Sequence, residues 1–395
     1  MIGDGYPTRV MGVINLSPES FYRGSVHENA DEILEAVARM ELDGADLIDI
    51  GGASTAPKAV YGTQQIDVET ELERVEAAIE ALDGNVRVPL SIDTTSSKVA
   101  EAALELGVDV VNDISGLQND PEMVSVIREY SVPLIAMAYC IPHCKSVSAC
   151  IASLQKTLNI AEYGHIDHGQ IILDPGIGFG KPMELDLRIL KSLNRFKLFG
   201  RPLLLGVSRK AFIGEFLNQE RPEDRLTGSL AATAIAVSKG ASIIRTHDVA
   251  ETKLVVKLSD AVSGMWQKQT GRAELLDVED ERGIELLLER IGTRGGVRRA
   301  LAKKGIMLII HLRTISTPAA LILKQEMLAL GGDAAYHHDT IDFERKSTDV
   351  LLMGSVLQIG RLVAKLEKMD YFALPDIAED IGTLLRKRTD EMNER

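Results

Sequence analysis

No stretch of the 395 residues reaches the apolar length of a membrane-spanning helix, and the opening MIGDGYPTR lacks the apolar centre of a secretory signal. Both absences lead to the expectation of a cytoplasmic protein with no membrane partner. Cysteine is scarce, at three residues, which excludes a disulfide framework and fits a reducing compartment. Cations are outnumbered: 44 Lys and Arg face 58 Asp and Glu, for a formal charge of −14. A nucleic-acid backbone demands a clustered cationic excess, so nucleic acid is not an expected partner. A small anionic ligand, which needs only a few local charges, stays open.

What the chain does contain is a series of eight short apolar runs. They are Val10 to Asn15, Leu47 to Gly52, Val88 to Asp93, Val108 to Asn112, Pro133 to Met137, Gln170 to Asp174, Leu203 to Ser208 and Ser242 to His247. Between them lie segments with apolar residues at helical spacing, such as Ala30 to Leu42 before Gly44 and Ser96 to Leu106 before Gly107. Strands alternating with helices pair in parallel through right-handed crossovers, and eight such units in about 250 residues fit a closed (β/α)8 TIM barrel. An open doubly wound sheet is the alternative.

A barrel of this kind builds its site from the C-terminal ends of its strands. Here those ends bring Asn15, Asp93, Asn112, Asp174, Ser208 and His247 to one mouth. In IILDPGIGFGK, Asp174 ends a buried strand and Gly176, Gly178 and Gly180 let the backbone turn beside a ligand. In LLLGVSRKAFIG the strand runs into two cations; Arg209 is expected in a solvated loop and Lys210 at the mouth. Arg245 and His247, two apart at the last strand end, are placed to meet a common anion. Asp93, Asn112 and Asp174 match the donors and acceptors of an amino-pyrimidinone ring, and Asn15 is a hard oxygen ligand for a divalent cation that bridges phosphates.

The stretches MGVINLSPESF, IDIGGAST, SIDTTSSKVAEAALELGVDVVNDISG, IILDPGIGFGK, GVSRKAFIG and GSLAATAIAVSKGASIIRTHDV resemble the motifs of the dihydropteroate synthase family, in that family's order, over residues 8–262. The resemblance implies a (β/α)8 barrel that joins 6-hydroxymethyl-7,8-dihydropterin diphosphate to an arylamine and releases pyrophosphate. It implies Asp93, Asn112, Asp174 and Lys210 as pterin contacts, with Lys210, Asp93 and Asp174 the catalytic set. It also implies Asn15, Arg245 and His247 around the diphosphate and Mg²⁺, and Ser208 beside the p-aminobenzoate pocket. Thr55, Met137 and Phe179 are read as further substrate contacts, and a homodimer is the family's usual assembly.

The chain departs from the family pattern at the amine pocket. GGASTAPK replaces GGESTRPG, so Ala53 and Ala56 stand for an acid and an arginine. Met137 is followed by Ala138 and Tyr139 where Met-His is usual, and ESFYRGS puts Arg23 in the first loop. An enzyme for a larger arylamine, such as the ribosylated aminobenzene phosphate of methanopterin synthesis met by Arg23 and Lys58, fits those changes. The opposing readings are a pterin-binding methyltransferase component and a non-catalytic pterin binder; Lys210, Arg245 and His247 together favour the synthase, since a methyl-pterin has no diphosphate to hold.

The cluster CIPHCKSVSAC carries Cys140, His143, Cys144 and Cys150 without the paired spacing of a zinc site, and reduced thiols are expected there. The barrel is assigned residues 1–265 and a helical connector 266–303. A small α/β module of unassigned role takes residues 304–395, its segment STPAALILKQEMLALGGDAAYHH resembling a module fused at the other end of some bacterial members of the family. Gly305 to Glu367 reads strand, helix, strand, helix, with a basic surface helix before it and a frayed tail KRTDEMNER after it. His337, His338 and Asp339 are expected in an exposed turn rather than a metal site, because neighbours on a strand point to opposite faces.

Overall fold

The computed structural model describes residues 2–3, 5–17, 29–53, 66–263, 278 and 280–394. The chain divides into two compact units, Met1–Glu274 and Leu275–Glu394.

In the first unit the strands are β1 (Arg9–Asn15), β2 (Leu47–Gly51), β3 (Leu90–Asp93), β4 (Val110–Asp113), β5 (Leu134–Met137), β6 (Ile171–Asp174), β7 (Leu204–Gly206) and β8 (Ile243–Thr246). Between the early strands run α1 (Ala30–Leu42), α2 (Val68–Leu82), α3 (Ser97–Glu105), α4 (Met123–Tyr130) and α5 (Val147–Tyr163). Later come α6 (Met183–Lys191), α7 (Asn194–Lys197), α8 (Ala211–Leu217), α9 (Leu226–Ser238) and α10 (Val249–Ser263). Neighbouring strands pair in parallel in the order β6-β5-β4-β3-β2-β1-β8-β7, and a parallel bridge between Leu173 and Leu203 joins the two ends. The sheet is therefore a closed barrel, as the eight runs imply, and not an open doubly wound sheet.

Strands covered on both faces read as continuous apolar runs, which is why the sequence shows runs rather than alternation. Met11, Leu47, Val110, Ile135, Ile172, Leu204 and Ile243 form the lower interior layer, with Ile2 packed against it. Registered neighbours share a face, so the residues two positions on, including Asp49, Asn112, Met137, Asp174 and Arg245, stand on the same interior side nearer the mouth. At the opposite end Asp260 of α10 accepts hydrogen bonds from the Thr8 N–H at 2.9 Å and its hydroxyl at 2.7 Å, tying the last helix to the first strand.

Helix punctuation follows local chemistry. Asn29 caps α1 by accepting the Glu32 N–H at 3.0 Å, and Gly44 beyond that helix adopts φ +93°. Ser96 makes no such side-chain cap for α3; the Ser97 N–H donates instead to Asp120, 23 residues on, at 2.8 Å.

The second unit holds α11 (Glu281–Arg290), α12 (Gly295–Gly305), β9 (Met307–Ser316), α13 (Thr317–Ala329), β10 (Asp333–Tyr336), β11 (Ser347–Ser355), α14 (Val356–Leu366) and α15 (Leu374–Glu394). Its sheet runs β10-β11-β9 and is antiparallel throughout, where helix crossovers were expected to leave parallel strands. The difference comes from β10, which is joined to β11 by residues 337–346 and pairs with it antiparallel. Helices cover one face around Leu323, Leu352, Ile359, Leu362 and Ile381. The tail is helical to Glu394 rather than frayed from KRTDEMNER onward, because Leu374, Ile377, Ala378 and Ile381 anchor its helix in that core.

Candidate active site

The predicted mouth forms, and its centre is a buried ionic network. Arg245 donates through Nε to Asp49 Oδ2 at 2.7 Å and through Nη2 to Asp93 Oδ2 at 3.0 Å. Asn112 Nδ2 donates to the same Asp49 oxygen at 3.0 Å. Asp49 is fully buried, and its Oδ1 has no hydrogen-bond partner among the described residues. The sequence reading missed this carboxylate because it lies inside an apolar run instead of at its end; an Asp within LIDIG, buried on both sides, was the available signal. Asn15, at the end of β1, faces the same interior, its Oδ1 close to where a Gly51 side chain would begin.

The IILDPGIGFGK loop supplies the other half. Asp174 Oδ1 accepts the Gly176 N–H at 2.7 Å, and burial raises its carboxyl above the ordinary range while Lys210 opposes the shift. The Lys210 ammonium donates to the Ile177 carbonyl and sits 4.3 Å from the centre of the Phe179 ring. Burial pulls that lysine down to about 8, against the attraction of Asp174 and Asp186. Gly178 adopts φ +79°, and a Cβ there would lie 2.3 Å from Lys210 Cδ, so only glycine lets the lysine stem pass. Asp186 on α6 is buried and accepts the Gly178 N–H at 2.9 Å, and Lys181 donates to the Gly176 carbonyl. Neither was singled out from sequence, although Asp186 shares the buried face of α6 with Leu185 and Ile189. Met137 is buried beside Gly176.

At the third corner, Ser208 Oγ lies 3.0 Å from His247 Nδ1 and accepts the His247 backbone N–H at 3.2 Å. The serine hydroxyl, with one O–H and two lone pairs, can serve either tautomer of the ring at Nδ1. Burial, then Arg245 and Arg209, push the imidazole down to about 3. The ring is therefore neutral at ordinary pH.

Two expectations change. Arg209 is not solvated: it is buried, donates to Asp248 at 2.9 and 2.6 Å, and donates to the carbonyls of Pro222 and Glu223. It is a structural brace that holds Ser208 and Lys210 on either side of it. The thiols are not all reduced: Cys140 and Cys144 are joined where the chain turns back after β5, their Cα atoms 4.9 Å apart. Cys150 remains a thiol, which burial pushes up to about 11. Bonded to each other, the Cys140 and Cys144 sulfurs are not thiolates. Thr55, Ala56, Lys58 and Arg23 lie outside the described residues.

The family enters on this geometry. A model of the pterin-binding enzymes matches residues 11–247, which spans seven of the strands and all but the first two residues of β1. The chain belongs to the pterin-binding enzyme family. A dihydropteroate synthase of Clostridium beijerinckii is 38% identical over 266 residues, 65% of this chain and 95% of that protein. Among solved structures, a dihydropteroate synthase from Clostridium difficile, determined in the presence of pteroic acid, has a TM-score of 0.61 at 37% identity over 66% of this chain and 99% of its own. The Xanthomonas albilineans dihydropteroate synthase with 4-aminobenzoic acid has a TM-score of 0.59 at 36% identity over 65% and 93%. These relatives are synthases, and the methyl-transfer reading is set aside for a transferase of the dihydropteroate synthase type. Among the described residues, no helix is long and apolar enough to cross a membrane.

Proposed function

We propose that this pterin-binding enzyme condenses 6-hydroxymethyl-7,8-dihydropterin diphosphate with p-aminobenzoate, releasing pyrophosphate, in folate biosynthesis. The observation that carries the reading is the joint placement of Asp93, Asn112, Asp174 and Lys210 at one mouth, with Arg245 and His247 at the end of β8. An amino-pyrimidinone edge takes hydrogen bonds from an amide and a lysine and gives them to carboxylates, and this set offers both kinds. Asp174 and Lys210, close enough to shift one another, hold the ring between a negative and a positive group.

The arylamine nitrogen attacks the exocyclic methylene carbon, the bond from that carbon to the diphosphate oxygen breaks, and the amine gives up a proton to solvent. Pyrophosphate leaves with the bonding pair. Asp93 and Asp174 stabilise the electron-poor methylene, while the Arg245 charge and the neutral His247 ring meet the leaving group. No protein nucleophile takes part.

A divalent cation fits the donors present: the Asn15 amide oxygen is a hard ligand on the interior face beside Asp93. Mg²⁺ held by Asn15 and by substrate phosphate oxygens would neutralise charge on the departing pyrophosphate.

The acceptor is tested by offering p-aminobenzoate and the ribosylated aminobenzene phosphate together and weighing the products. Dihydropteroate alone supports the proposal. Exclusive use of the ribosylated amine would replace it, and the substitutions at Ala53 and buried Ala138 would then mark the altered pocket. We place the enzyme in the cytoplasm as a homodimer, joined through the exposed apolar strip of Ile235, Leu254 and Leu258 on the adjacent helices α9 and α10. Sedimentation as a monomer at assay concentration would remove the dimer from the proposal.

A further inference from the structure

Far from this chemistry in the sequence, strand β10 ends at Tyr336 and the chain enters a single 3₁₀ turn, His338–Thr340. On a strand, neighbouring side chains diverge to opposite faces. His337, His338 and Asp339 lie beyond the strand, and one donor atom from each lies within 4.8 Å of the others. The Asp339 carboxylate faces both imidazoles, 2.6 Å from His338 Nε2 and 3.4 Å from His337 Nδ1. The rings themselves stack at 4.3 Å between centroids.

The backbone holding these groups is tied down. The His337 N–H donates to Thr348 Oγ1 on β11 at 3.2 Å, the Thr340 N–H to the His337 carbonyl at 3.0 Å, and the Glu344 N–H to the Asp339 carbonyl at 3.2 Å. Thr340, at the end of the turn, is fully buried. The donors are thus presented by a fixed scaffold while their own faces stay open, His338 being 85% exposed in its side chain.

We propose that His337, His338 and Asp339 form a site for a divalent cation of the zinc class, with water completing its coordination. Two imidazoles and one carboxylate are a borderline donor set that suits Zn²⁺ over Mg²⁺ or Ca²⁺, which take oxygen ligands. Zinc bonds to such donors at about 2.0–2.1 Å, which sets tetrahedral donors roughly 3.4 Å apart. The present donor atoms, within 4.8 Å of one another, draw in to reach that spacing. The cation takes the place of the His338–Asp339 contact and of the Asp339 N–H that His337 Nδ1 now accepts at 3.4 Å. Arg345, with Nε 3.4 Å from Asp339 Oδ2, is then the outer group that orients the carboxylate. Three protein ligands leave a position for water or another small ligand, so the site is open rather than closed.

The test is equilibrium dialysis of the full chain against Zn²⁺, with Co²⁺ visible absorption as the coordination signature. One Zn²⁺ per chain is expected, with a tetrahedral Co²⁺ spectrum. His338→Ala, His337→Ala and Asp339→Asn should each weaken binding at least tenfold. Pterin binding at the barrel should be unchanged in all three. His338 is exposed enough that its removal does not threaten the fold, so that variant decides the matter if another proves unstable. Zinc bound with equal affinity by His338→Ala, or no zinc retained by the unmodified chain, overturns the proposal.

Discussion

Removing Arg245 isolates the buried charge that organises the mouth. The guanidinium is the cation that Asp49 and Asp93 share, at 2.7 and 3.0 Å, and Asp49 is wholly shielded from water. Breaking a buried pair by deleting one partner costs about 3–5 kcal/mol, since the other charge stays behind unmatched. A fifth of the Arg245 side chain reaches solvent, 21% by area, which places Arg245→Met at the lower end, about 3 kcal/mol. Asp49→Asn leaves Arg245 paired with Asp93 and should cost about 1–2 kcal/mol. In the double variant no charge on Asp49 is left to strand, so its cost should fall short of the sum by about 2 kcal/mol. Hydrogen exchange read by mass spectrometry suits a chain of two units, because peptides from β2 and β3 report on the barrel by themselves. At 1.36 kcal/mol per decade, Arg245→Met should speed exchange of their slowest amides by roughly a hundredfold. Additive costs in the double variant, within about 0.5 kcal/mol, would refute the shared-cation account.

Lys210 sets a pH limit. It is protonated below about 8, so turnover should fall as pH rises through that value, and Lys210→Arg, which keeps its proton, should lose the falling limb. Between about 8 and the free-lysine value of 10.5 the unfolded chain binds the extra proton, so the barrel should gain stability over the range in which it loses activity. A falling limb that survives in Lys210→Arg assigns it elsewhere. Gly178→Ala meets both a positive φ and the Lys210 stem, and kcat/KM should drop by about a hundredfold through misplacement of the ammonium; activity within twofold of the parent would show that the lysine is placed by something else. In the second unit Leu323 is fully buried, and Leu323→Ala should cost about 2–5 kcal/mol, seen as faster exchange in β11 peptides. Unchanged exchange there would mean that its core does not depend on α13.

The barrel was legible because doubly covered strands leave apolar runs that turn signals separate, and because six of the runs end on a residue that water or a ligand must satisfy. What escaped depended on partners far along the chain. Arg209 looks solvated beside Lys210 until Asp248, 39 residues later, is folded against it. Asp49 looked like an interruption of β2 until Arg245, 196 residues later, met it. The disulfide requires the turn after β5 to bring two Cα atoms together, which four residues of spacing do not reveal. In the second unit, DAAY has no β-branched residue and gave no strand signal, so β10 and the antiparallel order were missed. The exposed turn at His337 to Asp339 is where the sequence put it, but the strand argument against a shared ligand fails because the residues have already left β10.

The central claim is that the mouth transfers a dihydropterin-6-ylmethyl group from diphosphate to an arylamine. Pyrophosphate release from 6-hydroxymethyl-7,8-dihydropterin diphosphate, with p-aminobenzoate and Mg²⁺ and with dihydropteroate measured in the same reaction, tests it most directly. The account predicts one pyrophosphate per dihydropteroate, and loss of both in Asp174→Asn. Tight pterin binding with neither product, in the presence of either arylamine, would contradict it.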